Sequence, residues 1–250
     1  MKMLTTGLCF WFALSLGADP VRQAVVDAPP FERADYDGDL SGLPIGVFDS
    51  GIGGLTVLEA ILRVDAFHND SLQPGADGKP DFENERFIYF GDQANMPYGN
   101  YSAAGRTDFL RELILRDAGF LLGRRYHSFG VAKSDKPPVK AIVIACNTAT
   151  AYGLEDIRAV LAEWKLPVIV VGVVEAGGRG VAEDLPREMG ATGVGVLATV
   201  GTCNSGAYPR AILASSGQAG KSPPVIVQQG SVGLAGAIEG DPAFLQDGAT

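Results

Sequence analysis

Cysteine, amide and hydroxyl stand in a row at Cys146-Asn147-Thr148, directly behind the apolar run Ala141-Ile142-Val143-Ile144-Ala145. A thiolate serves as base, nucleophile or metal ligand, and the neighbouring amide and hydroxyl can stabilise a developing anion. The apolar run is short and rich in β-branched residues, which predicts a buried strand. Thr150 to Trp164 then carries Leu154, Ile157, Val160, Leu161 and Trp164 at helical spacing. Cys146 therefore falls where a strand hands over to a helix. In open α/β sheets that edge is where ligands bind. The free N–H groups of a helix start favour a thiolate, so a lowered thiol pKa is expected there. Taken alone, a cysteine is more often a small buried hydrophobe; its place and its two neighbours argue for chemistry.

Two further segments follow predicted strands. Asp49-Ser50-Gly51-Ile52-Gly53-Gly54 lies between the strand Ile45–Phe48 and a predicted helix at Leu55–Val64. Its glycines allow a tight turn with amides free to hold a carboxylate or phosphate. It lacks the lysine of a P-loop, and the acid at position 49 repels phosphate. A carboxylate-bearing amino acid fits better, with Asp49 against its ammonium group. Asp49 and Ser50 as a plain helix cap is the competing reading. The third segment is Phe90-Gly91-Asp92-Gln93-Ala94-Asn95-Met96-Pro97-Tyr98-Gly99. Pro97 to Gly99 reads either as a simple turn or as a third loop converging on the same sheet edge, offering amides and a phenol. Gly193-Val194-Gly195-Val196-Leu197-Ala198 matches the letters of a dinucleotide fingerprint. It lies within a predicted strand and lacks the acid about 20 residues on, so it is a false match.

The rest of the chain must position these loops. It has 250 residues, 46% hydrophobic and 20% charged, enough for one large or two small α/β domains. A net charge of −9 without basic clusters argues against nucleic acid. Cys9, Cys146 and Cys203 form no disulfide framework, and with only His68 and His127 there is no zinc-ligand spacing. Lys2 and the apolar run Leu4–Leu16, closed by Gly17-Ala18, have the pattern of a secretory signal peptide, too short to span a bilayer. A loosely packed extension competes with that reading. Asp19 to Leu43 is acidic and reads as a linker. Strands are predicted at Arg86–Phe90, Val168–Val174, Val194–Leu197 and Val225–Gln228. Helices are predicted at Ala103–Arg125, breakable at Gly119, over a Gly-rich stretch after Val174, and near Ala207–Ala214. His68–Glu85 and Ser128–Pro138 read as inserted loops. The alternation argues for parallel sheets.

Together the segments resemble the glutamate racemase family, within the cofactor-independent aspartate/glutamate racemases. The resemblance rests on Asp49-Ser50-Gly51-Ile52-Gly53-Gly54-Leu55, on Tyr89-Phe90-Gly91-Asp92 with Pro97-Tyr98-Gly99, and on Ala145-Cys146-Asn147-Thr148-Ala149. Val171-Gly172-Val173-Val174-Glu175, Ala198-Thr199 and Ser205-Gly206-Ala207-Tyr208 add to it. It covers Ile45 to about Gly240. It implies two parallel-sheet α/β domains related by a pseudo-twofold: 1–43 a signal-like segment and linker, 44–174 the first domain, 175–250 a partial second one. It implies interconversion of L- and D-glutamate by two-base transfer of the α-proton, without pyridoxal phosphate or metal, supplying D-glutamate to peptidoglycan and so to cell wall and cell shape. Cys146 would be one base. Asp49 and, more loosely, Glu239 would be assisting carboxylates. Asp49, Ser50, Pro97, Tyr98, Gly99, Asn147 and Thr148 would hold the substrate.

One piece of the family pattern is missing. The second base lies in a Cys-Thr-His segment, and no such triplet occurs here. Cys203 lies upstream of where that segment belongs and reads as non-catalytic. These 250 residues are accordingly expected to be an incomplete gene product, with apolar surface left bare. Aspartate or another amino acid as substrate, and a binding protein for acidic amino acids that has lost its chemistry, are the competing readings. The resemblance implies a cytoplasmic protein, a true signal peptide an exported one. No membrane span is expected, the partner is a small molecule, and a homodimer is left open.

Overall fold

The computed structural model describes residues 19–186, 193–238, 240 and 242–244. The signal-like segment 1–18 and Glu239 lie outside the described residues. In chain order the elements are α1 Pro20–Val26, β1 Ile45–Asp49, α2 Gly54–Arg63, β2 Phe87–Gly91, α3 Gly99–Ala103, α4 Thr107–Leu122, β3 Tyr126–Ser128, β4 Val131–Lys133, β5 Ala141–Ile144, α5 Asn147–Trp164, β6 Ile169–Gly172, α6 Val173–Asp184, β7 Gly193–Thr199, α7 Val200–Ser205, α8 Ala207–Gln218, β8 Val225–Ser231 and α9 Leu234–Ile238. Four strands form a parallel sheet in the order β2-β1-β5-β6. β7 and β8 form a second parallel pair, and β3 and β4 a small hairpin. The expected α/β class with parallel sheets is what the chain adopts.

β1 is buried along its whole length, as a central parallel strand with covered faces must be. Its core partners are Ile142 and Ile144 on β5 and the inner faces of α4 and α5, where Leu110, Ile114, Leu121 and Ile157 are fully buried. α4 and α5 approach closely because Gly153 lets them. A Cβ at Gly153 would run into Ile114, 3.0 Å from its Cβ. Gly153→Ala is therefore expected to destabilise the protein by about 1–3 kcal/mol, the usual penalty of overpacking. Urea unfolding measures it.

Four local readings are corrected. The stretch 19–43 is more than a linker. Asp19 caps α1, its Oδ1 accepting from Val21 N–H at 3.0 Å, with Pro20 opening the helix. Arg111 on α4 donates to Asp19 and, at 2.6 Å, to Asp156 on α5. Trp164 Nε1 donates to Val26 C=O, and Phe31 meets the Trp164 ring edge-on. The predicted helix Ala103–Arg125 is interrupted at Gly105, where φ is +70°, and runs unbroken through Gly119. The stretch 128–138 opens with the hairpin β3–β4 rather than being loop throughout. The strand expected to reach Val174 ends at Gly172, and α6 starts at once. Residues 68–85 hold no helix or strand, as expected. Among the described residues no helix is long and apolar enough to cross a membrane. Leu197, Val225 and Val227 share one face of the β7–β8 pair, each about two-thirds exposed.

Candidate active site

The register of the main sheet brings the three loops together. Asp49 at the end of β1 pairs with Gly91 at the end of β2, and Phe48 pairs with Ile144, two residues before Cys146. The loops after β1, β2 and β5 therefore leave one edge of the sheet side by side. Phe48 C=O accepts from Ala145 N–H at 2.8 Å, and Asp49 C=O accepts from Asp92 N–H at 2.9 Å. These backbone bonds set the relative heights of the loops.

A cleft of about 580 Å³ opens over this edge, between it and the β7–β8 pair with α8 and α9. That volume suits a small metabolite. Asp49, Ser50, Pro97, Tyr98, Gly99, Cys146, Asn147 and Thr148 all line it. Of the candidate residues only Glu239 is missing, since it lies outside the described residues. Cys203 is buried in α7 and is not a lining residue, although its neighbour Thr202 is. A larger cavity, about 710 Å³, lies between α1, the following Pro29-Pro30 turn and α4, and none of the candidate residues line it.

Cys146 caps α5. Its Sγ accepts from Ala149 N–H at 3.4 Å and lies 3.5 Å from Ser50 Oγ. The expected lowering of its pKa does not occur. Burial pushes the thiol up to about 11, and the charge of Asp49 adds to this; the Ser50 and Ala149 bonds offset only part. The helix-start effect is a few N–H dipoles, whereas full desolvation penalises the whole charge of the thiolate.

Asp49 is also buried, and both its oxygens are occupied. Oδ1 accepts from Ser50 N–H at 2.7 Å and Oδ2 from Gly54 N–H at 2.6 Å. The capping reading of Asp49 is thus realised, and the Gly54 amide, expected to be free for a ligand, is taken. Gly54 has to be glycine for contact reasons: a Cβ there would lie 2.8 Å from both Asp49 Cβ and Ala145 Cβ. Tyr89 pins the same loop by donating to Gly51 C=O at 3.0 Å.

The other wall is tied on by hydroxyls. Thr148 Oγ1 lies 3.1 Å from Thr202 Oγ1, which accepts from Thr199 Oγ1 at 3.0 Å. Tyr152 donates to Gly201 C=O at 3.0 Å. Tyr208 on α8 donates to Asn147 Oδ1 at 2.6 Å. That bond uses the acceptor end of the Asn147 amide and leaves its NH₂ for the cleft. Sequence reasoning passed over Tyr208 and Thr202 as site residues. The only signal was Tyr208's place in a motif; its partner Asn147 is 61 residues away. Among the described lining residues there is no Lys or Arg. A carboxylate entering this cleft would meet amides and hydroxyls rather than a salt-bridge partner.

Comparison with known proteins agrees with this architecture. The family described as Asp/Glu/Hydantoin racemase matches residues 127–246. A glutamate racemase from Thermus thermophilus is 41% identical over 167 residues, 67% of this chain and 47% of that protein. One from Enterococcus faecalis is 37% identical over 168 residues, 67% of this chain and 46% of that protein.

The chain belongs to the aspartate/glutamate racemase family.

Solved structures of racemases in this family superpose on it. A glutamate racemase isoform from Bacillus anthracis matches with a TM-score of 0.56 and 26% identity, over 79% of this chain and 56% of that one. The Aquifex pyrophilus glutamate racemase gives 0.52 and 30%, over 80% and 62%. The chain spans about half the length of the curated racemases it matches, 46 to 47% of the two named above. The two walls of the cleft present different groups. The main-sheet loops carry the thiol and the acid, and the β7–α8 side presents hydroxyls and the tyrosine that orients Asn147.

Proposed function

We propose that this chain serves a glutamate racemase, with Cys146 as one of the two groups that move the α-proton, and that the product D-glutamate supplies peptidoglycan. The observation that carries the reading is that Cys146 lines the cleft together with Asp49 and Ser50, its Sγ 3.5 Å from Ser50 Oγ. In the forward step the Cα–H bond breaks, an S–H bond forms, and the electron pair moves into the carboxylate to give an enediolate. A donor on the opposite face then returns a proton to Cα, inverting it. The enediolate's added charge is met by donors already in place: Ser50 Oγ, the Asn147 NH₂, Thr148 Oγ1 and the amides around Gly99.

The raised thiol pKa fits this scheme if substrate binding relieves it. Asp49 is the natural partner for the α-ammonium group. An ammonium against Asp49 cancels the charge that pushes Cys146 up, so the thiolate forms more readily once the amino acid is bound. Asp49 thus assists by charge, and Pro97, Tyr98 and Gly99 shape the carboxylate end.

The test is deuterium uptake at Cα in D₂O, measured separately for L- and D-glutamate with aspartate as comparison. Uptake into glutamate is expected to exceed uptake into aspartate; the reverse would move the substrate, and no uptake into any amino acid would leave only binding. Tyr208→Phe frees the Asn147 amide to rotate. Losing one hydrogen bond worth about 0.5–1.5 kcal/mol predicts a two- to tenfold lower kcat/KM for exchange.

A further inference from the structure

Beneath the cleft loop lies a cluster that the proton-transfer scheme does not use. Tyr98 Oη is 2.6 Å from Asp92 Oδ2 and 2.6 Å from Asp117 Oδ2. Asp92 opens the loop after β2 and Asp117 lies within α4; Tyr98, Asp92 and Asp117 are all buried. Two short O···O contacts each need a proton between the oxygens, and the phenol supplies one. The second must come from a carboxyl group. Asn95 Nδ2 donates to the Asp92 carboxylate at 2.9 and 3.0 Å, so Asp92 already accepts from an amide as well as from the phenol. Among the described residues the Asp117 carboxyl has Tyr98 as its one side-chain partner, and it is the better place for the extra proton.

We propose that Asp117 is a neutral carboxylic acid whose O–H donates to Tyr98 Oη, and that this Asp117–Tyr98–Asp92 relay is a positioning device that locks the Pro97–Gly99 loop into the wall of the cleft. Burial pushes the Asp117 carboxyl up to about 8, with the nearby Asp92 charge adding to it and the Tyr98 bond opposing it. Burial likewise holds the Tyr98 phenol well above its usual range, so it stays a donor. The cations of α4 are engaged elsewhere: Arg111 by Asp156 of α5 and Asp19 before α1, and Arg116 by Glu112. From the other packed elements, β1 presents Asp49, held by the Ser50 and Gly54 amides, and α3 presents Tyr101, which carries Arg106 on its ring. Once Asp117 ionises, two carboxylates compete for one phenolic proton, and one contact must open. The loop's own turn, Asn100 N–H to Pro97 C=O and Tyr101 N–H to Tyr98 C=O at 3.2 Å each, is what would loosen.

The inference rests on the racemase reading only for what the loop touches. Carboxyl ¹³C labelling of aspartate is expected to show one resonance titrating near pH 8, absent from Asp117→Asn. Corrected exchange protection of the Asn100 and Tyr101 amides is expected to fall about tenfold between pH 7 and 9 in the parent and to stay flat in Asp117→Asn, which keeps a neutral donor. For Asp117→Leu the protection is expected to be low at every pH. An Asp117 resonance that titrates in the ordinary carboxylate range, or parental protection that does not change with pH, overturns the proposal. Glutamate exchange failing while both signatures appear would instead count against the racemase reading, and would leave the lock standing.

Discussion

Cys146→Ser is expected to lower Cα deuterium uptake from glutamate by about 1,000-fold, the scale on which a positioned base contributes. A serine hydroxyl keeps the size, and it keeps a partner for Ser50 Oγ and the Ala149 amide, so the helix start survives. What it loses is acidity: an alcohol is a far weaker acid than even a buried thiol. In the parent the rate is expected to climb about tenfold per pH unit above neutrality, because the thiol is neutral below its pKa of about 11 and the thiolate fraction grows with pH. Saturating glutamate should move that rise to lower pH, since the α-ammonium group neutralises Asp49. In the serine variant the slope should vanish over the same window. Among the described residues one thiol lines the cleft, so exchange is also expected to favour one enantiomer. A serine variant as active as the parent would remove Cys146 from the mechanism, whereas equal uptake into both enantiomers would mean that a second base serves the opposite face.

Phe48→Ala is the largest expected loss of stability. Phe48 is fully buried in the central strand, and its neighbour in sequence is Asp49. Truncating a fully buried aromatic removes its transfer energy and leaves a cavity, which costs about 3–5 kcal/mol. For a chain of this size that corresponds to a fall in Tm on the order of 10 °C. Thermal unfolding followed by circular dichroism measures it. The same substitution loosens the strand that carries Asp49 and, through Phe48 C=O, the segment that carries Cys146. Glutamate KM is therefore expected to rise even below the melting transition. A Tm within a degree or two of the parent would mean that the cavity collapses.

How much of this was readable in the chain depends on range. Strand-to-helix handovers are local, so Cys146 as a helix cap, the glycine turn after Asp49 and the buried face Leu154, Ile157, Val160 and Leu161 could be read from order and spacing. The α1 cap could also have been read, since Asp19-Pro20 carries both a capping acid and a first-turn proline. It was hidden by the acidic, proline-containing composition around it. The break at Gly105 rather than Gly119 turned on a positive φ in one place and a buried helix face in the other. Periodicity alone does not separate those two cases.

The amino-acid order by itself determined the family, the alternation of strands and helices, and which loops leave the carboxyl edge of the sheet. Each is written in nearest neighbours or in spacings of two to four residues. Tertiary structure alone decided how those loops behave. Tyr208 meets Asn147 across 61 residues, and Tyr98 meets Asp117 across 19. It also reversed the sign at Cys146. The helix start argued for an acidic thiol, but burial is a property of everything packed around the sulfur, and desolvation outweighs a few aligned amides.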